Sequence, residues 1–266
     1  MPACIEYAPR GLLGVLTPQA NTTVEPEFTA LLPPGVAMLN ARMTSGKSTI
    51  VARLLDYLAS LDDWAAQFAN APVGAVAFAC TGASYFAGVA AEDAAVARIS
   101  AARGVPFLTA GHAVRDAFRA LGARRIGLVS PYPQDLTEAA IGYFTALGFE
   151  VARVSGSVQQ DGVFHPIYAM TGEGAHQALM ALDPTGLDAV AMLGTGMPTL
   201  APILRTPFLG GVPVLSCMLA LAWRSVTLLD GAAPSREALL AWVRGEGWGQ
   251  RHAVRMAVAG GAGTPS

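Results

Sequence analysis

The reactive side chains of this sequence cluster where apolar runs break into short polar turns. The sharpest break is Cys80-Thr81-Gly82, which closes the apolar run from Val73 to Ala79 and opens an Ala- and Val-rich stretch of helical type reaching about Ala97. An uninterrupted apolar run predicts a strand buried on both faces of a parallel sheet. A strand passing straight into a helix leaves its turn at the carboxyl edge of the sheet. There the first free N–H groups of the helix face whatever binds. A cysteine in that turn sits at the positive end of the helix dipole, which favours the thiolate and raises reactivity. The competing role for Cys80 is that of a small buried apolar residue.

Thr17, Asn21, Tyr132, Thr195 and Ser216 fall in or just after comparable turns, and with Thr81 they supply hydroxyls and one amide. No carboxylate pair, histidine cluster or metal-ligand set accompanies them. Oriented N–H groups without acids suit an anion, most simply a carboxylate. A thiol beside that anion suits proton transfer to carbon or addition to an activated double bond. His112, in Ala110-Gly-His-Ala, reads as a helix-start residue rather than a base. Glu25 and Asp135 fall in early helical turns, where capping and the helix dipole account for them.

The elements that must hold these groups form a repeating order. Strands are expected at Gly11–Leu16, Val36–Leu39, Val73–Ala79, Gly104–Leu108, Arg125–Val129, Phe149–Val154, Leu187–Leu193 and Gly211–Leu215. Helices are expected after Asn21, over about Ile50–Asn70 and from Thr81 to about Ala97. Others follow at Gly111–Leu121, after Asp135 to about Leu147, at Glu173–Leu182 and from Ser216. Ser155–Met170 reads as a loop, and the glycine-rich end after Gly260 as disordered. Gly14-Val-Leu-Thr-Pro18 recurs as Gly127-Leu-Val-Ser-Pro131, and Ala75–Gly82 recurs as Ala189–Gly196, at offsets of 113 and 114. Gly104-Val-Pro106 recurs as Gly211-Val-Pro213 at an offset of 107. Matches in one order at nearly constant spacing indicate a duplicated α/β unit. The expected fold is therefore α/β, with two pseudo-symmetric lobes, each a parallel sheet flanked by helices, and the active site in the cleft between them. We expect residues 1–122 to form the first lobe, whose last helix is able to cross over, and 123–230 the second. A C-terminal helix and tail would occupy 231–266. In this repeat the counterpart of Cys80 is Gly194, so the cleft is symmetric in backbone and asymmetric in chemistry.

Composition bounds the partners. Apolar residues make up 53% of the chain and charged residues 14%, enough for a large core. The uncharged window Trp64–Ala91 is long enough to span a bilayer, but Pro72, Gly74, Gly82 and Gly88 divide it into strand, turn and helix. A formal charge of −2 gives no footprint for nucleic acid. Three cysteines, at 4, 80 and 217, form neither a disulfide framework nor a metal set. The expectation is a cytoplasmic protein without nucleic-acid or membrane partner, with homo-oligomerisation open. Cys4 and Cys217 read as structural or incidental.

Pro18-Gln-Ala-Asn21-Thr-Thr-Val-Glu-Pro26, Ala79-Cys80-Thr81, and Val129-Ser-Pro-Tyr132 through Leu136-Thr-Glu138 carry a resemblance to the aspartate/glutamate racemase superfamily. They resemble its branch of maleate cis–trans isomerases and arylmalonate decarboxylases. The resemblance spans nearly the whole chain and implies two α/β lobes, no cofactor, and a small dicarboxylate substrate. It places Cys80 in the first-lobe catalytic position and makes Asn21 and Tyr132 carboxylate-holding residues. The substrate-binding set then comprises Thr17, Asn21, Thr81, Tyr132, Gly194 and Thr195. Two positions depart from the family: Gly194 stands where both branches carry a cysteine, and Gly162 where a loop asparagine is usual. A single thiol in the first lobe mirrors the decarboxylase pattern. The leading expectation is therefore a lyase that decarboxylates a malonate-type substrate, with Cys80 delivering a proton to the enediolate. The alternatives are a maleate-type isomerase with Cys80 as nucleophile, and a non-catalytic carboxylate-binding protein.

Overall fold

The computed structural model of the protein describes residues 5–156 and 166–260. The first half runs β1 (Gly11–Pro18), α1 (Val24–Leu31), β2 (Val36–Met43), α2 (Ile50–Ala59), α3 (Leu61–Ala66), β3 (Ala75–Phe78), α4 (Thr81–Ala87), α5 (Val89–Arg103), β4 (Phe107–Thr109) and α6 (Ala110–Leu121). The second runs β5 (Arg125–Ser130), α7 (Gln134–Ala146), β6 (Glu150–Gly156), a 3₁₀ turn (Pro166–Ala169), α8 (Gly172–Met180), β7 (Ala189–Met192), α9 (Leu200–Arg205), β8 (Phe208–Leu209), β9 (Val212–Ser216) and α10 (Cys217–Leu229). Helices α11 (Arg236–Val243) and α12 (Gly249–Gly260) complete the described chain.

The first sheet is parallel in the order β2-β1-β3-β4, and the second repeats that order as β6-β5-β7-β9, with β8 added antiparallel at its edge. The internal repeat thus maps strand on strand: β1 on β5, β3 on β7 and β4 on β9. The central strands carry apolar residues on both faces. Ala75–Phe78 and Ala189–Met192 are buried at every position, which explains why they read as unbroken runs rather than alternating ones.

Local sequence explains where the elements differ from expectation. The expected helix over 50–70 stops at Ser60 and restarts as α3. The helix after Cys80 breaks at Gly88, whose φ of +79° is accessible to glycine, and resumes as α5. Gly104 ends α5 as its left-handed cap, at φ +66°, so the strand expected at 104–108 starts later, at Phe107–Thr109. The short α9 and β8 carried no periodic signal. Residues 261–266 lie outside the described residues.

Helix α10 returns to the first half, packing on α6, β1 and β3. Leu229 near its end fills the space over Gly11 and Gly74, and Arg224 pairs with Asp116 of α6 at 2.9 Å. An aromatic cluster joins α4, α6 and α7: Tyr85 to Phe144 at 5.7 Å, and Phe118 to Phe144 at 5.6 Å between ring centroids. Among the described residues, no helix is long and apolar enough to cross a membrane.

The repeat glycine Gly14 illustrates how tightly the first sheet is covered. A Cβ there would lie 2.9 Å from the ring of the buried Phe68. Gly14→Ala should therefore cost about 1–3 kcal/mol and lower the urea midpoint at unchanged slope. An unchanged midpoint would contradict this packing.

Candidate active site

All four expected turns reach one cavity. Its walls include Gln19 and Asn21 after β1, Cys80 and Thr81 after β3, Tyr132 after β5, and Thr195 and Gly196 after β7. The remaining wall comes from Arg53, Leu54 and Tyr57 of α2, Leu136 of α7, and Ile167 and Tyr168 of the 3₁₀ turn. Glycines permit the close approach of these walls. A Cβ on Gly82 would meet Leu54 at 2.9 Å, and one on Gly196 would meet the Tyr168 ring at 2.7 Å.

Cys80 is the N-cap residue of α4 and only 4% exposed. Burial pushes its thiol up to about 12, while the facing N–H groups of Ala83 and Gly82 act in the opposite, weaker sense. The sequence expectation of a dipole-favoured thiolate is thus corrected. Desolvation outweighs the helix terminus, and the resting group at neutral pH is the neutral thiol.

Beside it, the Thr81 and Tyr132 hydroxyls are hydrogen-bonded at 2.7 Å, so these two turn residues do converge. Burial holds the Tyr132 phenol well above its ordinary pKa, which keeps it a neutral donor. Behind this pair lies Cys217, fully buried at the start of α10. Its sulfur is faced by the Gly194 N–H and the Thr81 hydroxyl, and is 3.9 Å from the Tyr85 hydroxyl. Cys217 is therefore not incidental: it backs the Thr81–Tyr132 pair without lining the cavity. Burial raises its thiol to about 12 as well.

Gly194 is not among the cavity-lining residues. It has φ +85°, and a Cβ there would lie 2.7 Å from Ile167, 3.0 Å from Pro131 and 3.2 Å from the Tyr132 hydroxyl. The space a side chain would need is already filled, so a thiol cannot be placed at 194 without strain.

The other expected residues divide between lining and support. Asn21 lines the cavity, but its amide oxygen accepts from Thr23 N at 2.8 Å and Val24 N at 3.2 Å. Its amide nitrogen donates to Thr195 Oγ1 at 3.3 Å, and Thr195 donates to the Ala79 carbonyl at 2.8 Å. Thr17 does not line the cavity; its hydroxyl bonds Asn40 Oδ1 at 2.5 Å across β1 and β2. From β2, Arg42 donates to the Asn21 carbonyl at 2.7 Å and pairs with Glu25, clamping the turn after β1. Ser216 caps α10 through Leu219 N at 3.1 Å and also stays outside the cavity. His112 lies in the first turn of α6, its backbone N–H donating to Thr109 Oγ1 at 3.0 Å. Cys4 and Gly162 lie outside the described residues. Arg53, Tyr57 and Tyr168 were not foreseen. The only sequence signal for the α2 pair was its spacing at i and i+4 after the Thr49 cap.

Glu27, buried on α1, ties the two halves together by accepting from the backbone N–H groups of Thr199 at 2.6 Å and Leu200 at 3.3 Å. Desolvation raises its carboxyl from 4.5 to about 7 despite these bonds. Between those values the folded state holds more protons than the unfolded one, so stability falls as pH rises through that window. The loss is on the order of 3 kcal/mol, complete above the folded pKa. Glu27→Gln keeps an acceptor for Thr199 and should remove this slope in urea midpoints taken from pH 5 to 8. Equal slopes in both proteins would contradict the assignment.

The chain matches the family model described as arylmalonate decarboxylase over residues 13–240. It is 26% identical over 235 residues to the maleate isomerase of Geobacillus stearothermophilus, covering 82% of this chain and 91% of that protein. The crystal structure of the maleate isomerase Iso from Pseudomonas putida S16 superposes with a TM-score of 0.73 at 25% identity, covering 83% of this chain and 93% of that one. A mutant Nocardia farcinica maleate cis–trans isomerase with a covalently bound succinylcysteine intermediate has the same fold, with a TM-score of 0.73 at 24% identity over 86% and 98% of the two chains. With the paired sheets, the four converging turns and a match over most of its length, this chain belongs to the arylmalonate decarboxylase family.

Proposed function

We propose that the protein is a cis–trans isomerase of a small cis-enedioate such as maleate, with Cys80 as the group that adds to the double bond. The observation that carries the reading is the Cys80 thiol itself. Among the described residues it is the one thiol lining the cavity, beside the Thr81–Tyr132 donor pair. Curated relatives that are maleate isomerases support ranking this reaction above the decarboxylation that the sequence placed first.

The chemistry balances without an external reagent. The Cys80 sulfur bonds to one alkene carbon, and the π pair moves to the neighbouring carbon and into its carboxylate. Thr81 and Tyr132 meet the charge that develops there. The proton carried by the neutral thiol ends on that carbon, giving a succinyl thioether. Rotation about the new single bond, loss of a proton from carbon and cleavage of the C–S bond return the thiol and release the trans product. A covalent species of this type is what the Nocardia structure holds. Decarboxylation is the second reading. The burial of Cys80 favours it, since burial pushes the thiol up to about 12 and a thiol held neutral is suited to donating a proton to an enediolate.

Incubation with maleate and with an α-aryl-α-methylmalonate, followed by NMR, separates the two. We expect fumarate from the first and no carbon dioxide from the second; the converse result would establish the lyase. Cys80→Ala should lose at least about two orders of magnitude, and full activity in that variant would remove Cys80 from the reaction. Tyr132→Phe should lower kcat by about 100-fold while the melting temperature holds. A fall in melting temperature with kcat intact would make Tyr132 a packing residue.

A further inference from the structure

We infer that Arg53 is a specificity-determining residue, which selects substrates that keep a second carboxylate throughout the reaction. The inference rests on the Cys80-centred reading above and adds the recognition of the far end of the substrate. Among the described residues lining the cavity, Arg53 bears the only formal charge. It lies in the first turns of α2, whose start is fixed by Thr49 Oγ1 accepting from Ala52 N at 3.2 Å. One guanidinium N–H donates to the Lys47 carbonyl at 3.0 Å, which orients the group. A guanidinium has five donors in a planar fork that matches a carboxylate.

Arg53 shares the cavity wall with Cys80, Tyr57 and Tyr168. Burial raises both the Tyr57 and Tyr168 phenols and Cys80 adds to that rise, while the Arg53 charge acts in the opposite sense on each, as Arg42 does on Tyr168. The two tyrosines are thus within electrostatic reach of both sulfur and guanidinium. Of the charges nearby, Arg42 is paired with Glu25, and Asp56 accepts the Ser45 hydroxyl at 2.5 Å. Leu54, adjacent to Arg53, packs over Gly82 in the Cys80 turn, so the cation stands on a wall that is otherwise apolar at this point. The cavity then has two anion poles: the Thr81–Tyr132 hydroxyl pair for the carboxylate next to the reacting carbon, and Arg53 for the other.

This arrangement discriminates between reactions as well as substrates. Loss of carbon dioxide would discharge the carboxylate that Arg53 holds, so the cation stabilises the ground state more than the transition state of decarboxylation. Isomerisation retains both charges throughout.

The test compares succinate with butyrate, two saturated acids that differ by a carboxylate and undergo no turnover, by calorimetry. The wild-type protein should bind succinate at least about tenfold more tightly, as expected for a charge-assisted pair. Arg53→Gln should abolish that preference and leave butyrate within about twofold, while Arg53→Lys should restore part of it. A wild-type protein that binds both acids equally overturns the inference without any variant, and so does an unchanged preference in Arg53→Gln. The two proposals fail separately. A succinate preference lost in Arg53→Gln, in a protein inert toward maleate, would sink the isomerase reading and leave Arg53. Maleate turnover with an unchanged preference in Arg53→Gln would do the reverse.

Discussion

The hydroxyl of Thr195 is the point at which the two halves of the cavity are joined. It donates to the Ala79 carbonyl at 2.8 Å and accepts from the Asn21 amide at 3.3 Å. One buried side chain therefore ties together the turns that follow β7, β3 and β1. Thr23 adds a second tie to the Gly196 carbonyl at 2.8 Å, and Glu27 a third to the start of α9. All of these cross between segments more than a hundred residues apart in sequence, in surroundings where an unpaired polar group is expensive. The cavity keeps its shape because dismantling it would strand several buried donors and acceptors together.

Within that frame, burial decides the electrostatics. Cys80 and Cys217 both lie at helix starts, where N–H groups favour a thiolate, yet both thiols are pushed up to about 12. The same desolvation keeps Tyr132 a neutral donor. The resting site therefore presents thiol and phenol rather than anions, so the dianion of the proposed function would meet no like charge there. Under the proposed isomerisation, the proton needed at carbon would already be on the Cys80 sulfur, which would couple nucleophile and acid in one residue and suit a cavity with no side chain at Gly194. Close packing enforces that asymmetry: Ile167, Pro131 and the Tyr132 hydroxyl occupy the volume that a residue at 194 would use.

Much of the fold was legible in the sequence because its signals are local. Buried parallel strands read as continuous apolar runs, and the Gly14/Gly127 and Cys80/Gly194 correspondences exposed a repeat that the strand order reproduces. The turns after β1, β3, β5 and β7 were recognisable for the same reason. What escaped depends on packing between distant segments. Nothing around Ile50–Ala59 states that α2 lies over the Cys80 turn, so Arg53, Tyr57 and Leu54 went unnoticed as wall residues. Thr17 and Gly194 stand at strand ends like their neighbours, but their orientation is set by Asn40 and by Ile167, which adjacent sequence does not reveal. Cys217 read only as structural or incidental because its contacts with Thr81 and Tyr85 join positions more than 130 residues apart. The thiolate expectation at Cys80 failed because dipole effects follow from local sequence, whereas the degree of burial does not.

The account turns on whether the Cys80 sulfur bonds to substrate carbon. Peptide mass spectrometry of protein acid-quenched during exposure to maleate tests this most directly. The mass of one maleate added to the Cys80 peptide, and none on the peptide containing Cys217, is the predicted result. Conversion of maleate to fumarate with no adduct at Cys80, or with the adduct at Cys217, would contradict it.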